Sequence, residues 1–143
     1  MRTFRLATPA DIPALMALTI AANQPQMDLP DLAFLAEQDG QIIAAGGLEL
    51  NHPGMVVLSG GVIHPDYYRH PFLVFRLQEF VEDWLIANGC HAYVFPISKR
   101  NTRMQRWVER LGARRYTKKN GSYWYVRAIG THRELTETPH VQT

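Results

Sequence analysis

Cysteine is nearly absent from this 143-residue chain, which contains one, Cys90. A single cysteine forms no internal disulfide and builds no cysteine-based metal site, and its use fits a reducing, cytoplasmic setting. The six histidines lack the spacing of three or four residues that paired ligands on a helix need, so we expect no metal site. No apolar run approaches the roughly 20 residues of a membrane span, and the first residues lack a signal-peptide pattern.

The composition is that of a folded domain. Apolar residues make up 46% of the chain and charged residues 20%, which is enough apolar side chain for a core. We expect one domain over residues 1–129. The segment 130–143 is polar and without periodicity, so it is predicted to be a tail.

Charge is distributed unevenly along the chain. Residues 1–98 carry four basic and ten acidic side chains, a net charge of −6, whereas residues 99–119 carry nine basic side chains and one acid, Glu109, a net charge of +8. The basic segment 99–119 is either a solvated surface or a docking surface for nucleotide phosphates, nucleic acid or an acidic protein. Aromatic residues beside it (Tyr116, Tyr123, Trp124 and Tyr125) keep nucleic-acid binding among these possibilities.

Periodicity and turn residues predict an alternating series of strands and helices. The predicted elements are a strand at 3–7, a helix from Thr8 with a stripe of Ile12, Leu15, Met16 and Ile20, strands at 32–37, 41–50 and 55–63, a helix from 71 to about 88, a strand at 92–97, a helix capped by Asn101 with Met104, Trp107, Val108 and Leu111 inside, and strands at 114–118 and 122–128. The order predicts an α/β (α+β) fold with a mixed, mostly antiparallel sheet of six or seven strands and helices on both faces. Asp39-Gly40 and Asn120-Gly121 predict tight hairpin turns, and Gly46-Gly47 predicts a bulge or a close backbone approach.

Three local motifs occur in an order that resembles the GNAT superfamily of acyl-CoA-dependent N-acyltransferases. R-L-A-T-P-A-D-I at 5–12 is similar to the family's first strand and helix, and V-I-H-P-D-Y at 62–67 is similar to the end of its fourth strand. The segment from Asn101 to the E-R-L-G at 109–112 is similar to its late helix. The resemblance implies a GNAT fold and the transfer of an acetyl group from acetyl-CoA to an amine. By the same resemblance, the cofactor binds near Val62, Ile63, His64 and Asn101. Arg69 and His70 are further cofactor-binding candidates, because their side chains could supply charge in place of the family's loop pattern.

Four positions depart from the family pattern. In the loop that binds the cofactor's pyrophosphate, Tyr68 stands at the arginine position, and Pro71 and Leu73 stand at the two small positions. Proline has no N–H to donate, and we expect the leucine side chain to lie where a phosphate approaches. Val108 replaces the tyrosine that resembles the family's general acid. These departures put cofactor binding and proton transfer in question.

Catalysis requires a base, because an amine attacks a thioester only after losing its proton. Glu49 and His64 are the candidates: Glu49 follows the Gly46-Gly47 pair in its strand, and His64 ends the next strand beside the loop. His64 is the better placed and can titrate near neutrality. The structural alternative for Glu49 is an exposed strand residue. The alternative for His64 is a helix-entry residue that is bonded to the backbone.

A second function class is a GNAT-fold protein without activity, which serves in assembly or binding. Residues 101–125 also resemble, more loosely, small acetyltransferase-like proteins of short-tailed phages, some of which are virion components. In this case the basic segment 99–119 and the tail would dock a protein partner or a second copy, inside a phage particle rather than in free cytoplasm.

Overall fold

The computed structural model describes residues 1–23 and 30–130; for Gly60 and Pro71 it describes the backbone alone. Of the predicted tail 130–143, residues 131–143 lie outside the described residues. The elements are β1 (Arg2–Leu6), α1 (Ile12–Ala21), β2 (Leu32–Gln38), β3 (Gln41–His52), β4 (Met55–Ile63), α2 (Pro71–Ala87), β5 (Ala92–Ser98), α3 (Thr102–Arg110), β6 (Arg114–Lys119) and β7 (Ser122–Ala128), with short 3-10 turns at Pro9–Asp11 and Pro65–Tyr67. None of the described helices is long and apolar enough to cross a membrane.

The strands form a seven-stranded sheet in the order β1-β2-β3-β4-β5-β7-β6. The pairs β1/β2, β2/β3, β5/β7 and β6/β7 are antiparallel, and β4 runs parallel to β5 with Val57 opposite Val94. The predicted mixed, mostly antiparallel sheet is therefore confirmed. Both predicted hairpin turns have two consecutive residues at positive φ, Asp39-Gly40 and Asn120-Gly121, as the tightest hairpin turn requires.

The chain forms two compact units. The first unit comprises residues 1–51 and 58–83, and the second comprises residues 52–57 and the chain from Trp84 onward. Strand β4 and helix α2 therefore contribute to both units.

The first unit buries residues from both faces of its sheet. Leu35 and Ala36 are consecutive in β2, so their side chains point to opposite faces. Leu35 clusters with Leu18 of α1, and Ala36 clusters with Leu73 of α2. This confirms the prediction of helices on both faces.

The buried side of α1 differs from the predicted stripe. Leu18 is buried, whereas Met16 and Ile20 are exposed, Ile20 at 66%. The helix sequence is apolar on every side, so its pattern did not identify the buried face. At the predicted close approach, an added Cβ on Gly47 would lie 2.5 Å from the Pro30 ring, so this strand position fits no larger residue without a shift.

An ion pair fastens the start of α1 to β1. The Arg5 guanidinium donates two hydrogen bonds to the Asp11 carboxylate, at 2.8 and 2.9 Å, and the Thr8 N–H donates to the same carboxylate at 2.7 Å. These bonds stabilise the charged form, so Arg5, and after it Thr8, hold the pKa of Asp11 well below its usual range.

This contact makes part of the protein's stability depend on pH. A carboxyl whose pKa is lower in the folded chain stabilises the fold above its unfolded pKa of about 3.9 and loses that contribution as the pH falls. We expect Asp11→Asn to lower the urea midpoint at pH 7 and to approach the wild-type midpoint near pH 2. Asp39→Asn, at an exposed hairpin turn, is the control and should follow the wild type throughout. A deficit in Asp11→Asn that stays constant from pH 7 to pH 2 would contradict this account.

In the second unit, α3 packs against the chain around β5 through a residue that the pattern missed. Gln105 is buried, and its amide donates to the carbonyl oxygens of Ser98 and Lys99 at 2.9 and 3.1 Å. Val108 is buried as predicted, but Met104 is exposed and Trp107 is half-buried. The buried face of α3 therefore includes Gln105 and Val108. The glutamine can be buried because two carbonyl oxygens accept hydrogen bonds from its amide.

Candidate active site

The candidate site begins where β4 ends, in the first unit. The His64 N–H donates to the Ile43 carbonyl at 2.8 Å and holds the end of β4 against β3. The ring of His64 caps the next turn, since its Nδ1 accepts the Asp66 N–H at 3.1 Å. A neutral imidazole has one ring nitrogen that accepts, so the neutral His64 carries its proton on Nε2.

Most backbone donors of the loop after β4 are engaged within the loop. The N–H groups of Asp66, Tyr67, Tyr68, His70 and Leu73 all donate to acceptors between His64 and His70. Pro71 is the first residue of α2 and has no N–H. Among the described residues, the N–H groups of Arg69 and Phe72 have no backbone acceptor. They are the backbone donors of this segment that can meet an external anion.

The start of α2 combines a helix N-terminus with a nearby arginine and histidine. Arg69 and His70 precede the helix and are exposed, and its first turn, P-F-L-V, contains no acid. The His70 ring lies 5.1 Å from the ring of Tyr67, which lies 6.1 Å from that of His64. The partial positive charge of a helix N-terminus and an arginine attract the same ligand, an anion.

Leu73 is a core residue of the first unit and does not face solvent beside the loop. Its side chain is 0% exposed and packs with Ala36, Ile43 and Ala44. The expectation that it lies where a phosphate approaches is therefore wrong. The position faces inward, because it is the third residue of a helix that packs on the sheet.

The other residues predicted to bind a cofactor have structural contacts. Val62 and Ile63 pack in the first unit's two core clusters, so their backbone alone is placed to meet a ligand. Asn101 belongs to the second unit and caps α3, where its Oδ1 accepts the Met104 N–H at 3.1 Å. Its predicted role as a helix cap is confirmed.

The two predicted catalytic residues lie far apart. His64 lies beside Ile43, whereas the half-buried Glu49 is six residues further along β3. At about 3.3 Å per residue, this separation is about 20 Å. The structure therefore does not bring Glu49 and His64 to one reacting atom.

A polar network that the sequence reasoning missed links α3 to the β6–β7 hairpin. The Tyr125 hydroxyl donates to Glu109 Oε2 at 2.6 Å, and Arg115 lies 3.4 Å from both groups. Burial, and then the bond to Glu109, raise the pKa of Tyr125, which stays protonated at neutral pH. The register that places Arg115 opposite Tyr125 could have revealed the pair.

An open cavity of about 360 Å³ lies in the second unit. It is lined by the start of β4, the start of β5, Tyr116 and Val126, and it includes none of the predicted site residues. Among the described residues, no three His, Cys, Asp or Glu side chains are grouped as metal ligands.

Comparison with known proteins agrees with this architecture. The sequence model of the acetyltransferase (GNAT) family matches residues 4–113. No curated protein matches the chain.

Solved structures with the same fold are numerous. The ribosomal-protein-S18-alanine N-acetyltransferase from Escherichia coli is 19% identical, with a TM-score of 0.74 and coverage of 90% of this chain and 93% of that chain. PaiA N-acetyltransferase from Thermoplasma acidophilum, in complex with coenzyme A, is 11% identical, with a TM-score of 0.74 and coverage of 90% and 99%. A probable acetyltransferase from Staphylococcus epidermidis is 13% identical, with a TM-score of 0.75 and the same coverage. At these identities the likeness shows the fold.

Proposed function

Since the chain belongs to the acetyltransferase (GNAT) family, we propose that it transfers an acetyl group from acetyl-CoA to an amine. The observation that carries the proposal is the start of α2, which follows β4 directly and has Arg69 and His70 beside it and no acid in its first turn. A site of this charge suits a pyrophosphate. The acetyl donor would supply an activated thioester when bound.

The residues present fit such a cofactor, although the loop differs from the family pattern. Leu73 is buried and leaves the approach to the helix N-terminus clear. Arg69 supplies a permanent charge, and the N–H groups of Arg69 and Phe72 supply backbone donors. Most N–H groups of the loop are bonded within the loop. The charge of Arg69 therefore replaces part of the attraction that these N–H groups would provide to a pyrophosphate.

Glu49 is the group that we propose as the general base. A carboxylate can take up a proton, and the accepting nitrogen of neutral His64 is bonded to the Asp66 N–H. Glu49 is half-buried on β3, in the same unit as the loop. It would take the proton that an ammonium group must lose before it attacks a carbonyl carbon.

His64 is, in this proposal, a positioning residue that orders the loop. Asparagine is a good helix cap and can accept the Asp66 N–H, whereas leucine cannot. We expect His64→Asn to keep the KM for acetyl-CoA within about threefold of wild type, and His64→Leu to raise it by roughly two- to thirtyfold. Neither change should lower kcat. An equal loss of kcat in both variants would instead assign the ring itself to the chemistry.

Arg69 is the residue whose loss should weaken cofactor binding most directly. A hydrogen bond to a charged group contributes about 1.5–3 kcal/mol, so we expect Arg69→Gln to raise the KM for acetyl-CoA at least tenfold. The matched control is Arg76→Gln, further along α2, whose guanidinium pairs with Glu79 at 3.4 Å. The measurement is thiol release from acetyl-CoA with a panel of primary amines. If the two variants had the same KM for acetyl-CoA, Arg69 would not be a cofactor-binding residue.

The inactive alternative loses one of its four supports, because the leucine at position 73 is explained by packing. Pro71, Tyr68 and Val108 still depart from the family pattern, and the transfer assay decides between the two functions. The phage resemblance and the cytoplasmic setting stay predictions from the sequence.

A further inference from the structure

The outward face of α3 carries a row of arginines. Arg103, Arg106 and Arg110 follow one another at spacings of three and four residues, and all three are exposed. Gln105 and Val108, on the opposite side of the helix, are buried. A helix turns 100° per residue, so the three arginines lie together on the side away from the core. We call this surface the α3 arginine face.

These arginines have no acidic partner among the described residues. The one acid of α3, Glu109, is held by the Tyr125 hydroxyl at 2.6 Å and faces Arg115 at 3.4 Å. Arg110 donates from Nε to the Arg106 carbonyl at 3.5 Å, which leaves its charge uncompensated. Three exposed and uncompensated positive charges favour a polyanion as the partner.

An aromatic side chain lies beside the same face. Trp107 is half-buried; it lies between Arg103 and Arg110 along the helix axis and borders the arginine row next to Arg103 in the helical projection. No cation stacks on its ring among the described residues. By contrast, the Tyr123 ring is covered by the Arg115 guanidinium, 3.7 Å from its centroid, and lies 5.6 Å from the Lys99 ammonium. Trp107 is therefore the aromatic ring of this surface that is available for stacking.

We propose that the α3 arginine face binds single-stranded nucleic acid. Arg103 and Arg110 are about 10 Å apart along the helix axis, so one extended strand can contact all three arginines with its phosphates. Arginines neutralise phosphates, and an aromatic ring stacks on an unpaired base of any sequence. An acidic peptide would match the charges, but its Asp and Glu side chains offer no ring to stack on Trp107. The surface lies outside the α2 loop, so the proposal goes beyond acetyl transfer.

The test is fluorescence anisotropy with a 20-nucleotide, fluorescein-labelled RNA of mixed sequence at 50 mM salt. The triple variant Arg103→Gln, Arg106→Gln, Arg110→Gln should bind at least about tenfold more weakly than wild type. The matched control removes three exposed charges from β6 instead, by Arg114→Gln, Lys118→Gln and Lys119→Gln, and should lose less than about threefold. In the α3 triple variant, the slope of log K against the logarithm of the salt concentration should be about two units less steep than in the wild type.

The contribution of the ring is tested separately by Trp107→Leu, which should bind about five- to a hundredfold more weakly. Circular dichroism checks that each variant is folded, and the arginine variants keep the test valid if the leucine variant unfolds. Wild-type protein that fails to bind the RNA at 100 μM would overturn the proposal. So would an equal loss in both triple variants, or displacement of the RNA by poly-glutamate at equal charge concentration.

Discussion

Glu49→Gln should lower kcat for acetyl transfer by about 10²- to 10⁴-fold, the usual contribution of a positioned general base. The substitution keeps the shape of the side chain but removes its ability to take a proton. The KM for acetyl-CoA should change little, since Glu49 is about 20 Å along the sheet from the loop side of β3. Steady-state kinetics with a primary amine that the wild type accepts measures both constants.

The control for this experiment is Glu79→Gln, a half-exposed carboxylate of α2 that pairs with Arg76. It makes the same chemical change in the same unit and should leave kcat unaltered. If Glu49→Gln retains more than about a third of the wild-type kcat, the base lies elsewhere. A loss of equal size in both variants would point to a general effect of charge in the first unit.

Leu73→Ala should destabilise the protein by about 2–5 kcal/mol, because it removes a fully buried side chain from the cluster with Ala36, Ile43 and Ala44. Urea unfolding measures the change. Phe72→Ala, at the neighbouring exposed position, is the control and should cost less than about 1 kcal/mol.

The same variant tests what Leu73 does at the loop. If its side chain obstructed a phosphate, the alanine would tighten the binding of acetyl-CoA. We expect no tightening, since the side chain points into the core. A variant that binds acetyl-CoA more strongly than wild type with unchanged stability would restore the obstructive role.

The element order and most boundaries could be predicted because a few adjacent residues determine each turn. Asp39-Gly40 and Asn120-Gly121 supply the positive φ angles of two hairpins, and Gly89 and Gly112 end α2 and α3 at positive φ. These signals require a few adjacent residues and no knowledge of tertiary contacts. The order β1-β2-β3-β4-β5 follows from short connections and one parallel crossover, whereas the position of β7 between β5 and β6 does not.

Burial was less predictable, because it depends on which neighbours a helix meets. Helix α1 is apolar on all sides, so its sequence does not distinguish Leu18 from Ile20. In α3 the buried polar residue Gln105 is stabilised by two carbonyls from outside the helix, and no local pattern shows them. Leu73 could be assigned to the core only after α2 was placed on the sheet.

The loop between β4 and α2 was predictable from the sequence, but the contacts that its residues make were not. The sequence V-I-H-P-D-Y located the loop, and Arg69 and His70 do flank the start of α2. The distance between His64 and Glu49 depends on how β4 is aligned with β3, which the sequence alone did not specify. The hydrogen bond from the Asp66 N–H, which occupies Nδ1 of His64, depends on the turn geometry.

The decisive experiment is a calorimetric titration of the wild-type protein with acetyl-CoA at low and moderate salt. We expect saturable binding at micromolar strength that weakens as salt rises, because Arg69 and the start of α2 recognise an anion. Binding should be at least tenfold weaker in Arg69→Gln. Absence of binding heat at millimolar acetyl-CoA would contradict the enzyme assignment and leave a GNAT-fold protein with a binding role.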